Sequence, residues 1–397
     1  MLGTDTVLSD PRQNYGMITS NAARLLAVVI VIAPGLSAQN KKEDGLLVLP
    51  KVQATANVPL VKIAEYRMKE ERFAPAAVIS LRHIYIIGGQ NSAGTILRSI
   101  ERFDVESGES KVIASLAIGR LWAQAVLVEN KIFVFGGQSL DSKISRSSVT
   151  SVGETLRGSA EQRAQNRIDG ASWGSSSVSE SKWQPVHPEE TVEVIDLDTG
   201  EVSTAGQMPE PRSEFGCVFL NGLIYVIGGK FLAQKPKGDA FTNRVDIFDP
   251  VTRKWTAGPN LINPATANVA VVDDTYILIP GGFNGTKSLD SVVIFDPKIA
   301  KRGQLPSLCR PTSAHAAVCL DKYMFLFGDY QHPEEILAYN LRDKTSATFT
   351  LQYEAARHAA VVADAKKIFV IGGKPDRDST PLNKIQVFQL TSKKEAR

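Results

Sequence analysis

The sequence predicts an all-β fold, and three observations carry that prediction. A short apolar strand ending in a glycine pair recurs along the 397 residues. Each copy follows a run of small and β-branched residues and precedes a strand of alternating apolar and polar residues, the signature of a half-buried strand. The first glycines of successive copies lie 48, 92, 53, 47 and 44 residues apart, the period of a four-stranded unit repeated in tandem. Six such units, arranged around an axis, make a six-bladed β-propeller.

The elements follow in order. Arg24, the apolar run Leu25–Ala33 and the small residues up to Ala38 have the parts of a secretory signal over residues 1–38. The run is far shorter than the ~20 residues that span a bilayer, so a secreted or periplasmic protein, free of the membrane after cleavage, is expected. Met17 is an alternative start, because the residues before it fit no signal. Residues 39–56 read as a linker, with Gly45–Leu49 either an extra edge strand or part of that linker. The propeller is expected over 57–397.

The strands into the glycines read Ile84–Ile87, Ile132–Phe135, Ile224–Ile227, Leu278–Pro280, Phe325–Phe327 and Ile368–Ile371. The runs before them include Ala76-Ala77-Val78, Gly216-Cys217-Val218 and Ala359-Ala360-Val361, small enough for the crowded strand nearest the axis. The alternating strands after them include Ile100–Asp104, Val192–Asp196, Val245–Asp249 and Val292–Asp296, with a fourth strand clearest at Pro250–Trp255. Blade two carries an insertion, 139–190, with thirteen serines and no sustained apolar period, which reads as a surface excursion.

The order Arg, small strand, Ile-Tyr-Val-Ile-Gly-Gly, Val-x-x-Phe-Asp-Pro, Trp, fullest from Arg212 to Trp255, resembles the kelch repeat. The resemblance runs over about residues 57–390, and the whole is similar to a secreted bacterial kelch-repeat protein. The Trp-Asp dipeptide of WD40 repeats is absent. Pro280 in blade four and Asp329 at the second glycine of blade five depart from the pattern. The last copy ends after its third strand, so Val58–Ala64 is expected to supply the missing strand of blade six and remove an open edge.

The resemblance implies one functional face, where the loops between blades and those after the second strand meet at the channel. It places the Arg of each repeat near that rim. The matching positions hold Arg72, Arg120 and Arg212, with Arg310 and Arg357 slightly out of register and Ala265 in blade four. Guanidiniums around one mouth would take a carboxylate, phosphate or acidic sugar through bidentate pairing; alternatively they satisfy loop carbonyls or pair with Glu71 and Glu214. His315 and His358 each open an Ala-Ala-Val strand and are expected near the channel.

A protein- or glycan-binding scaffold, monomeric and without cofactor, is the expected function. The second reading is a sugar epimerase or mutarotase resembling those that act on sialic acid, with Glu214 as acid/base beside Arg212. Copper chemistry resembling that of galactose oxidase would need a Tyr–Cys cross-link and two His ligands, and no cysteine has that context. The formal charge of +3 comes with no basic stripe, which argues against nucleic acid. Three cysteines make no disulfide framework, although a Cys309–Cys319 bridge stays open, and no metal-ligand spacing occurs.

Overall fold

Six four-stranded antiparallel sheets follow one another in the computed structural model. It describes residues 60–140, 186–232, 239–263, 265, 271–273 and 275–391, among which there is no α-helix. The expected signal, linker and Gly45–Leu49 strand, and the body of the insertion at 141–185, lie outside the described residues.

From innermost to outermost strand, blade one is Ala76–Ser80, His83–Ile87, Ser99–Asp104 and Ser110–Ser115. Blade two is Gln124–Val128, Lys131–Phe135, Thr191–Asp196 and Val202–Gln207. Blade three is Gly216–Leu220, Leu223–Ile227, Val245–Asp249 and Lys254–Ala257. Blade four is Val271–Asp273, Tyr276–Pro280, Val292–Asp296 and Lys301–Leu305. Blade five is Ala316–Leu320, Tyr323–Phe327, Glu335–Asn340 and Thr345–Thr350. Blade six takes Ala360–Ala363, Lys367–Ile371 and Lys384–Leu390 from the end of the chain.

Its fourth strand is Leu60–Arg67, antiparallel to Lys384–Leu390, with Leu60 opposite Leu390 and Arg67 opposite Lys384. The closure read from the sequence is therefore present, running three residues further than Ala64. Ile63 is the extra residue of a bulge between Lys62 and Ala64 and turns outward. Each innermost strand packs against that of the next blade, and the sixth against the first, so the ring closes. An apolar seam fills every junction: Phe135, Phe248 and Met208 between blades two and three, for instance, and Phe103, Phe369 and Ile385 between six and one. Each large apolar side chain buried there contributes about 1.5–3 kcal/mol.

Two local signals set each blade's shape. The glycine pair lies where neighbouring blades touch. A Cβ on Gly88 would stand less than 3.0 Å from the Arg120 carbonyl, and one on Gly372 equally close to that of Arg72. Both have positive φ, so no side chain fits in either respect. In blades one to four an Asp at the end of the third strand makes the turn to the fourth. Asp104 Oδ1 accepts the amides of Glu106 and Ser107, Asp249 Oδ1 those of Val251 and Thr252, and Asn340 does the same in blade five. Gln389 stands there in blade six, where no such turn is made because the fourth strand comes from the other end of the chain.

The departures have physical accounts. Pro280 sits at the end of its strand, opposite Val292. Asp329, nearly fully buried, accepts from Thr312 Oγ1, from the amides of Ser313, Gln331 and His332, and from Arg310 Nη1 at 2.8 Å. Burial alone would raise its pKa; those donors outweigh it and hold the carboxyl at about 2. Trp255 packs on Phe248 at 4.9 Å and Phe135 at 6.0 Å. Cys217, Cys309 and Cys319 are free thiols, and burial pushes Cys319 up to about 12.

Candidate functional site

Lead-in segments and glycine loops meet on one face, as isolated bridges show: Phe73 with Gln90, Leu121 with Gln138, Ser213 with Lys230 and Arg357 with Lys374. Within that face the structure gives three of the expected arginines a different place. Arg72, Arg120 and Arg212 are buried between strands and carry about 1% exposure or less. Their Nη1 atoms donate to the glycine carbonyl of their own blade, Gly88 at 2.7 Å, Gly136 at 3.1 Å and Gly228 at 3.3 Å. Their Nη2 atoms donate to a carboxylate on the third strand: Glu101 at 3.2 Å, Glu193 at 2.6 Å, and Asp246. Burial lowers the pKa of Arg72 and Arg212, against the pull of these carboxylates. These guanidiniums bind the protein itself.

The carbonyls of the same residues tie the blades together. Gly89 N–H donates to Arg120 at 2.7 Å, Gly137 to Arg212 at 3.0 Å, Gly229 to Ala265 at 2.7 Å and Gly282 to Thr312 at 2.9 Å. In blades four to six the Arg position holds Ala265, Thr312 and Ala356. The register places Val293, Leu337 and Gln386 where Glu101, Glu193 and Asp246 stand. Base and acid are absent together, because either one buried alone would be an uncompensated charge.

Two residues beyond the Arg position the backbone turns left-handed. Ala74, Trp122, Glu214, Ala314 and His358 all have φ between 51° and 59°. Their peptides form an open chain: Glu214 N–H to Trp122 O at 3.4 Å, Trp122 N–H to Ala74 O at 3.1 Å, Ala74 N–H to His358 O at 3.1 Å, and His358 N–H to Ala314 O at 3.0 Å. This chain follows the rim of the channel through five blades.

The side chains on the rim differ by sector. Trp122 of blade two reaches His358 of blade six, its Nε1–H donating to Nδ1 at 3.3 Å. Phe73 packs edge-on against both rings, at 5.5 and 5.3 Å. Lys230 lies over the Trp122 ring at 5.4 Å and pairs with Glu214 at 2.7 Å, with both side chains largely buried. Glu214 and Arg212 are thus not brought together, since Arg212 turns to Asp246 and Glu214 meets Lys230. Glu71 accepts from Ser92. The acid/base arrangement of the epimerase reading is not formed.

The remaining candidates lie on the lead-ins of blades five and six. Arg310 donates to Asp329 at 2.8 Å and to Glu335 at 3.0 Å. Arg357 is partly exposed and lies over the ring of Tyr330, 4.4 Å from its centroid. Its Nε has no acceptor and no carboxylate among the described residues lies within ion-pair distance, although its charge helps to lower the pKa of Asp376 from further away. Tyr330 is 43% exposed, and Lys374 and Phe283 hold the same position after the glycines in the flanking blades. His315 is buried with neither ring nitrogen firmly hydrogen-bonded, and burial pushes it down to about 4. No group of three or more His, Cys, Asp or Glu side chains among the described residues is placed to hold a metal. A cleft of about 860 Å³ lined by Tyr66, Leu81, Arg82, His83 and Asp364 among others contains none of the expected site residues.

Sequence reasoning missed Phe73, Trp122, Lys230, Tyr330 and Lys374. Counting fixed offsets from the glycine pairs would have found them.

A family model described as the kelch motif matches residues 71–117 and 211–262, blade one and blade three with their lead-ins. Blades one and three therefore carry the kelch motif. Alpha-scruin of Limulus polyphemus is 24% identical over 238 residues, 57% of this chain and 21% of that protein. Spermatocyte protein spe-26 of Caenorhabditis elegans is 31% identical over 100 residues, 25% of this chain and 18% of that protein. Beta-scruin of Limulus polyphemus is 29% identical over 93 residues, 10% of its own length. The chain thus spans about a fifth or less of these relatives. Kelch blades one and three, which the family model matches, both retain the buried Arg–carboxylate pair.

Proposed function

We propose that this kelch propeller is a secreted scaffold that binds a protein partner through the channel-mouth face, and that Arg357 receives an acidic group of that partner. The kelch architecture suits protein binding in general. The observation that supports the acidic group is the contrast among five arginines. Arg72, Arg120, Arg212 and Arg310 are committed to carboxylates. Arg357 lies over an exposed tyrosine with no carboxylate hydrogen-bonded or ion-paired to it, and Asp376 feels its charge only from further away. Stacking fixes the guanidinium plane while leaving its edge for bidentate pairing. Secretion is supported by the apolar run Leu25–Ala33 behind Arg24.

The test is a peptide array bearing Asp or Glu beside apolar residues, each paired with its Asn or Gln analogue, read by biolayer interferometry on the full chain. Acidic peptides should bind at least tenfold tighter than their amides, and Arg357→Ala should remove the difference. Equal binding of acids and amides, or an unchanged preference in the variant, overturns the acidic-partner reading. A parallel glycan array showing the tighter, Arg357-dependent binding would replace the protein partner with a sugar.

A further inference from the structure

The contact between Trp122 and His358 joins the lead-ins of blades two and six across blade one, where Ala74 leaves room. An indole N–H can only donate, so Nδ1 of His358 must carry its lone pair. The bond therefore exists while the imidazole is neutral, with its proton on Nε2, and a second proton must destroy it.

The groups facing this ring come from every neighbouring segment. Phe73 of blade one and Trp122 of blade two are uncharged walls. Burial opposes protonation most; Glu214 favours it, and the cations Lys230 and Arg357 oppose it, while His315 of blade five lies close enough for a charge on His358 to oppose its own protonation. The balance pushes His358 down to about 4, so the ring is neutral at neutral pH.

We infer that His358 is an acid-operated latch on the channel mouth: neutral, it holds the Trp122 indole across blade one; protonated, it lets the indole go and reshapes the binding face. The change is local. The peptide bonds through Ala74 tie both lead-ins independently of the imidazole, so the blades stay in register while the side chains part. The inference rests on the mouth geometry and is independent of which partner the face binds.

The experiment follows indole resonances of the ¹⁵N-labelled full chain from neutral pH downwards, with far-UV circular dichroism alongside. Trp122→Phe identifies the Trp122 signal. That signal should titrate with a midpoint of about 4, while the signal of Trp255, packed in the seam of blades two and three, stays fixed. His358→Gln keeps a hydrogen-bond acceptor without a titrating ring and should abolish the transition. Should that variant not fold, Arg357→Gln serves instead: it removes an opposing cation and should move the midpoint upward. A Trp122 signal indifferent to pH, or one that titrates alike in His358→Gln, overturns the latch. So does a shift that coincides with Trp255 and loss of circular dichroism, or a midpoint that Arg357→Gln leaves in place.

Discussion

The amide of Gly373 donates to the carbonyl of Arg72 at 2.8 Å, so the last glycine pair fastens onto the first blade as Gly89 fastens onto Arg120 and Gly137 onto Arg212. The seam between blades six and one is therefore built like the others. It has the same peptide rivet, the same intolerance of a Cβ and its own apolar filling.

Gly372→Ala should destabilise far more than Gly200→Ala. Both glycines have positive φ, but a Cβ at Gly200 meets nothing within 4 Å, whereas one at Gly372 collides with the Arg72 carbonyl. The open site should cost about 1–2 kcal/mol for the left-handed backbone. The closed site adds about 1–3 kcal/mol of overpacking. Urea denaturation of the two variants measures the gap.

Arg120 and Glu193 should behave as a unit. Arg120→Met leaves the Glu193 carboxylate buried and unpaired, a loss of about 3–5 kcal/mol. Adding Glu193→Leu should restore much of that, because the double variant copies the apolar pairing of Ala265 and Val293 in blade four. A double-mutant cycle on unfolding free energy reads the coupling. Additive losses would mean that the two side chains act separately.

His315 gives a pH dependence with a definite sign. Its folded pKa of about 4 lies below the ordinary 6.5, so the unfolded chain takes up a proton that the folded chain refuses. Stability is full above pH 6.5 and falls as pH drops towards 4. At about pH 5.5 the loss from this one residue is about 1 kcal/mol. Thermal melts of His315→Gln across this range should show a flatter fall in Tm than those of the unaltered chain.

Asp329 works in the opposite sense. Its carboxyl is held at about 2, below the ordinary 3.8, so its contribution is complete above pH 4 and fades as pH falls towards 2. Asp329→Asn should therefore be less stable at neutral pH, with the difference from the unaltered chain narrowing below pH 4. A gap that persists at pH 2.5 would point to packing rather than charge.

The sequence discloses six blades and their closure because both depend on short-period patterns: glycines where backbones collide, alternation where a strand is half buried, and a last copy lacking its outer strand. The arginines were harder, because a position near a rim does not say which way a guanidinium points. Arg120 finds Glu193 at a separation of 73 residues, across the inserted loop. The signal was an acid inside an apolar strand, Ile100-Glu101, Val192-Glu193 and Val245-Asp246, present only in the blades that also carry the arginine. The contact of Trp122 with His358, 236 residues apart, is visible only when equivalent positions are superposed blade by blade.

The closing strand also orders events during synthesis. Lys62 meets Gln386 at a separation of 324 residues, so a ribosome delivers one half of that pairing long before the other. Until then the nascent chain carries an unmatched apolar ribbon with Leu60, Val61 and Ile63, which a chaperone or a neighbouring polypeptide could capture. Circular completeness is thus also a timing requirement: a translation stalled before Lys384 releases an arc with two sticky ends, while a finished chain conceals both in one step.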